Sequence, residues 1–143
     1  MLANVNYLPV IVAALIHMAI GFVWYSPRFF GNTWAKLMGW PLEAKEDKGT
    51  GKEQKKGMFQ TYTLSFLSAL IMAYMLSSLI ALTRMRAIFE TMELAALIWL
   101  GFVATTTFTN SLFTGKSKKL WLIDYGYVLV SLIIMSILFT FWR

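Results

Sequence analysis

LWLIDYGYVLVSLIIMSILFTFW, Leu120–Trp142, is 23 residues long and carries one charged side chain, Asp124. Crossing roughly 30 Å of hydrocarbon takes about 20 helical residues, so this stretch is long enough and apolar enough to span a bilayer. Three more runs of the same kind precede it: Leu8–Tyr25, Met58–Leu82 and Leu94–Phe113, of 18, 25 and 20 residues. Together the four take up 86 of 143 residues. The expected fold is all-α: a single polytopic membrane domain over 1–143, built as a four-helix transmembrane bundle.

Composition agrees. Hydrophobic residues make up 58% and charged residues only 14%, against about 45–50% and 25% in soluble domains, and mean hydropathy is +0.61. Cysteine is absent, which removes disulfides, thiol chemistry and Cys-based metal sites. The net charge of +6 would suit nucleic acid, but the basic residues cluster at span ends, where they act as topological signals. No nucleic-acid partner is expected; the partner is the lipid bilayer. Residues 1–7 contain no Lys or Arg, and the first run ends in Trp24-Tyr25-Ser26-Pro27 rather than a small-residue cleavage site. It therefore reads as a retained span and not as a signal peptide.

The basic residues also orient the chain. Arg28, Lys36, Lys45, Lys48, Lys52, Lys55, Lys56, Lys116, Lys118 and Lys119 fall on one side, ten in all, against Arg84, Arg86 and Arg143 on the other. The positive-inside rule places the richer side in the cytoplasm, with both termini outside.

Between spans one and two the cytoplasmic loop 26–57 has two parts. Phe29, Phe30, Trp34, Leu37, Met38 and Trp40 alternate with small and polar residues, which predicts a short interfacial helix from about Asn32 to Met38. Asn32 is its expected N-cap, and Pro41 its stop. Leu42–Gly57 holds four acidic and five basic residues and reads as a flexible loop or a partner-docking one. In span two, Ser65, Ala69, Ala73, Ser77 and Ala81 recur every four residues. They form a seam that lets another helix approach closely; spacing alone does not say whether that helix belongs to the same chain. Beyond the outer turn, Glu90 and Glu93 stand where a helix N-terminus favours negative charge.

Polar residues are unevenly distributed in depth. With the midplane near His17, Leu70, Val103 and Ser131, the cytoplasmic halves contain Gln60, Thr61, Thr63, Ser65, Ser68, Thr105, Thr106, Thr107, Thr109, Asn110, Ser111, Asp124, Tyr125 and Tyr127. Either these line a polar vestibule open to the cytoplasm, or the hydroxyls bond the carbonyls of their own helices and need no cavity. Asn110 and Asp124 are not satisfied so simply. Asp124, the one acid inside a span, is expected to meet Arg28 or Lys116, with Asn110 or a tyrosine completing its surroundings. Its role is a structural clamp, a proton or cation site, or a charge near a helix N-terminus. His17, the single histidine, lies near the bilayer centre and shares a face with Gly21 and Trp24. It suits a hydrogen bond between helices or a proton relay. One His without Cys or nearby carboxylates makes a weak metal site, since a closed zinc site wants about four ligands; no metal site and no cofactor are expected.

Trp24-Tyr25-Ser26-Pro27, Phe30-Gly31 and Trp34, followed by Asn110-x-Leu112-Phe113 and Leu122-Ile123-Asp124-x-Gly126-Tyr127, resemble a family of small bacterial four-span proteins catalogued as domain of unknown function 1761. The resemblance covers nearly the whole chain, apart from the hydrophilic Lys45–Lys56 segment. It implies a multi-pass protein of the bacterial cytoplasmic (inner) membrane and no particular activity. Its residues coincide with the polar cluster at the cytoplasmic mouth. The candidate binding residues are accordingly Trp24, Tyr25, Arg28, Asn110, Asp124, Tyr127 and His17. With one His and no Cys, a nucleophile–base pair is missing and an enzyme is not expected. Two functions compete: binding or transport of a small solute or ion through the polar cavity by a homo-oligomer, and an accessory or scaffold subunit packed against a larger membrane complex.

Overall fold

A computed structural model describes residues 5–39 and 51–142, with side chains of the second stretch described from residue 57 onward. All regular structure among the described residues is helical. Helix α1 is Tyr7–Trp24, α2 Gly31–Leu37, α3 Gly51–Thr83, α4 Ile88–Phe113 and α5 Lys118–Phe141. Four of them are long and apolar enough to cross a bilayer: α1, α3 from Gly57, α4 and α5. The short α2 follows the first span, where an interfacial helix was expected.

Helix ends follow local chemistry. Asn6 accepts a hydrogen bond from the Leu8 N–H at 3.2 Å. Pro9 lies in the first turn of α1, where its missing donor has no intrahelical partner to lose. At the start of α4, Glu90 Oε2 accepts from the N–H groups of Arg86 and Ala87, at 3.2 and 3.3 Å. The expected charge–dipole role of Glu90 thus includes direct capping of the helix start. Gly115, at φ +68°, ends α4 in a left-handed turn; Lys116 N–H returns to the Ser111 carbonyl at 3.2 Å. Ser117 then opens α5 by accepting from Leu120 N–H at 3.1 Å.

Two expectations about the first loop need correction. Asn32 is not the N-cap of α2: that place belongs to Phe30, which offers no side-chain acceptor, and Asn32 Nδ2 donates to the Pro27 carbonyl at 3.3 Å. The hydrophilic 42–57 segment is not loop throughout, because α3 already begins at Gly51. Backbone hydrogen bonds extend a helix past the bilayer, whereas apolarity marks only the part inside it. Trp40, Pro41 and the rest of that segment, 42–50, lie outside the described residues.

Helix α5 is central and touches all the others, while α1 packs most extensively along α3, and α4 along α5. The core is Val10 and Ala13 of α1, Ala73, Leu76 and Ile80 of α3, Ala95 of α4, and Leu132, Met135 and Phe139 of α5. All of these belong to the halves of the spans that hold the chain termini, away from the lysine-rich end. The span-two seam faces inward there: Ala69, Ala73 and Ser77 are buried, though Ser65 is not. Its neighbours are therefore helices of the same chain. Since lipid is as apolar as the side chains, contact between small residues holds such helices together. A hydroxyl pair, Thr91 and Thr140 at 2.7 Å, joins α4 to α5 in the same half.

Midway along α4, Trp99–Ala104 forms a π-helical turn. Wide turns of this kind reset which residues face a neighbour. Here Trp99 Nε1 donates to the Tyr125 carbonyl of α5 at 2.8 Å, and one stretch further on Trp121 Nε1 donates to Thr107 Oγ1 at 3.0 Å.

Candidate functional site

The lysine-rich half of the bundle is organised around the turn that follows α1. Pro27 has no N–H to continue the helix, and the chain folds back on itself. Phe30 N–H reaches the Trp24 carbonyl at 3.1 Å, and Gly31 N–H the Ser26 carbonyl at 3.0 Å. Gly31 is required here by closeness: a Cβ at this position would collide with the Tyr25 carbonyl oxygen and the Ser26 backbone. The tight return lays α2 against α5 and brings Trp34 back toward the end of α1.

Three aromatic side chains from this turn reach α5. Trp24 Nε1 donates to the Ile123 carbonyl at 2.9 Å, beside Gly126, where a Cβ would lie 3.7 Å from the Trp24 ring. Tyr25 Oη donates to Asp124 Oδ1 at 2.9 Å, and Trp34 Nε1 donates to the same oxygen at 2.8 Å. The rings of Tyr25 and Trp34 meet edge to face, centroids 5.6 Å apart. The expected partnership of Asp124 with Arg28 or Lys116 is not formed: both cations are exposed, and two neutral donors take the carboxylate. A tyrosine fills the place left open for Asn110 or a tyrosine. Asp124 also lies seven positions beyond the cap Ser117, past the first turn in which a helix dipole acts strongly.

Deeper in the membrane, His17 Nε2 hydrogen-bonds the Tyr127 hydroxyl. The Tyr127 ring is 4.8 Å from His17 and 5.8 Å from Tyr25, so His17, Tyr127, Tyr25 and Asp124 form a continuous polar and aromatic column from mid-span to the basic end. Among the described residues, His17 Nδ1 and the Ser131 hydroxyl are buried without a hydrogen-bond partner.

Beside this column runs an open groove between α1, α2 and α3. Its deeper part, about 470 Å³, is lined by Met18, Phe22, Tyr25, Thr61, Ser65 and Tyr127. Its outer part, about 890 Å³, is lined by Pro27, Asn32, Trp34, Gly57 and Met58. Tyr25, Thr61 and Tyr62 belong to both, and Phe22 stacks near Tyr62 at 5.6 Å. The walls are mainly apolar and aromatic, with hydroxyls at intervals, the usual make-up of a small-molecule site.

Of the residues singled out from the sequence, Trp24, Tyr25, Asp124, Tyr127 and His17 are brought together. Arg28 stands exposed at the mouth, and Asn110 is exposed on α4. The threonines of α4 do not line this groove, whereas Thr61 and Ser65 of α3, from the same set of hydroxyl residues, do. Thr105, Thr107 and Thr109 bond carbonyls of their own helix at 2.8, 2.6 and 2.9 Å, and Thr106 does the same with Phe102. Trp34, Phe22 and Tyr62 are the additions. Trp34 belongs both to the expected interfacial helix and to the motif that carries the family resemblance, and its reach to Asp124 follows from the Gly31 turn. No group of three or more His, Cys, Asp or Glu among the described residues is placed to hold a metal ion.

Four spanning helices and an aromatic site near the lysine-rich end define a multi-pass membrane protein with a four-helix bundle. The family described as "Protein of unknown function (DUF1761)" matches residues 8–140, and the chain belongs to that family. No curated protein and no solved structure matches it.

Proposed function

We propose that the protein binds a small amphipathic solute in the groove beside Tyr25, at the cytoplasmic end of a bacterial inner-membrane bundle, and moves it. The observation that carries this is the anchoring of the groove wall. Tyr25 and Trp34, which line the groove, are both fixed by hydrogen bonds to Asp124. A wall held in one geometry recognises a ligand at lower entropic cost than a mobile one. Asp124 is thus a positioning residue. The column from Asp124 to His17 supplies side chains along the membrane depth that a transported solute or proton would follow. The ten-to-three bias of basic residues supports a cytoplasmic mouth and outward termini.

The test is titration of the purified protein with amphiphiles of positive, negative and zero charge, read by tryptophan emission. One class gives a saturable response that weakens in Asp124→Ala. That compound, loaded into proteoliposomes, shows flux that His17→Ala and Asp124→Asn reduce. A response that is non-saturable for every class, or indifferent to Asp124→Ala, overturns the reading.

One observation favours the accessory role. Asn110 exposes a polar amide near the lysine-rich end of α4, and such groups within a span tend to be covered by another helix. A second copy of this chain or a larger membrane complex would cover it. Co-purification in mild detergent separates the two, and a lone monomer excludes both.

A further inference from the structure

The groove has a direction, and its charges follow it. Its deeper part lies among Met18, Phe22 and Ser65, inside the spans, and its mouth lies at Pro27, Asn32 and Gly57. From Ser65 to Gly57, α3 rises about 12 Å, so the cleft runs from hydrocarbon depth to the headgroup layer and is open along its flank. Exposed Arg28 follows Pro27 at the mouth, and exposed Lys36 is on α2 next to the lining residue Ala35. Asp124 does not line the groove; Tyr25 and Trp34 stand over it and donate to it.

We propose that the occupant of this groove is an anionic membrane lipid, with an acyl chain along Phe22, Tyr62 and Ser65 and its headgroup among Asn32, Arg28 and Lys36. This rests on the groove being a ligand site, and it names the ligand class. Shape and charge agree on it. An apolar cleft continuous with hydrocarbon admits a tail from the side, and basic residues between spans at the cytoplasmic face select an anionic head. A lipophilic cation would find aromatic faces inside but a positive mouth. A water-soluble anion would find no use for the apolar deeper part.

The experiment is native mass spectrometry of the full chain in micelles doped with equal amounts of phosphatidylglycerol and phosphatidylcholine of matched tails. Phosphatidylglycerol is retained in preference, and Arg28→Gln with Lys36→Gln lowers that preference by about tenfold. Ser65→Phe, which fills the deeper part, removes retention of both lipids. Equal retention of the two lipids, or a preference indifferent to the double variant while Ser65→Phe still blocks, overturns the anionic assignment and leaves the groove as a ligand site. Retention of both lipids unchanged by Ser65→Phe overturns the groove itself. The unaltered protein gives a second measurement that needs no variant: brominated phosphatidylglycerol quenches its tryptophan emission more strongly than brominated phosphatidylcholine does, and equal quenching counts against the proposal.

Discussion

Tyr25 and Asp124, 99 positions apart, are joined by a 2.9 Å hydrogen bond from phenol to carboxylate, and Trp34 donates to the same oxygen. The end of the first span, the helix after it and the start of the last span are thereby tied at one atom. Asp124→Asn keeps an acceptor there and loses the charge assistance, which roughly halves the strength of such bonds. Asp124→Ala removes the acceptor that two donors share, at about 1–3 kcal/mol for each bond lost. We therefore expect Asp124→Ala to destabilise the bundle by about 2–6 kcal/mol and Asp124→Asn by clearly less, measured by unfolding in mixed micelles. An Asp124→Ala protein as stable as the parent would mean that water takes over both donors.

Gly31 gives a sharper steric test. Its missing Cβ makes room for the Tyr25 carbonyl and Ser26 backbone, and backbone cannot yield as the tip of a side chain does. Gly31→Ala should cost about 1–3 kcal/mol and disturb the Trp34 indole environment, seen as a shifted emission maximum. Gly57, where a Cβ meets nothing within 4 Å, is the control. Gly57→Ala should be neutral or stabilise by about 0.5–1 kcal/mol, as expected for a helix interior. Equal effects at the two positions would refute the steric account.

The four spans were legible because bilayer thickness converts directly into run length. Their ends were less so: α4 begins at Ile88 rather than Leu94, because Glu90 caps a turn that hydropathy does not register. Depth was legible as well, since Tyr25, Asp124 and Tyr127 could be placed near the basic end by counting. The direction in which each side chain leaves its helix was not. Asn110 and Asp124 have similar depth, yet Asn110 points away from the cluster. Trp34 needed the reversal at Gly31 to reach the carboxylate, a tertiary consequence invisible to periodicity.

Hydroxyls sort into two groups by partner. Thr105 and Thr109 bond carbonyls of their own helix and are exposed; their change to Ala should shift stability by no more than about 0.5 kcal/mol. Thr91 is fully buried and pairs across helices with Thr140. A double-mutant cycle on Thr91 and Thr140 should give a coupling of about 0.6–1.7 kcal/mol, the range for interhelical bonds in membranes. Zero coupling would show that each hydroxyl is satisfied by its own helix as well.

His17 and Tyr127 bear on a tautomer. Among the described residues, His17 Nδ1 is buried and unpartnered, whereas Nε2 meets the Tyr127 hydroxyl. An orphaned N–H is rarer and costlier than an orphaned lone pair, so the proton belongs on Nε2, donated to Tyr127. Nitrogen NMR of the single labelled histidine should report the Nε2–H form. Tyr127→Phe should abolish that preference and broaden the signal, and an Nδ1–H form in the unaltered protein would contradict the assignment.

Orientation can be tested cleanly because the chain has no cysteine, so a single introduced thiol is unique. Lys116, in the turn between α4 and α5, and Arg84, between α3 and α4, stand at opposite ends of the bundle and are both exposed. If the lysine-rich end faces the cytoplasm, Arg84→Cys reacts with an impermeant maleimide on intact cells, and Lys116→Cys reacts only after lysis. The reverse pattern would put the groove mouth outside. The basic residues around it would then face the leaflet away from the anionic cytoplasmic surface, removing the electrostatic argument for its ligand while leaving the Tyr25–Asp124–Trp34 geometry intact.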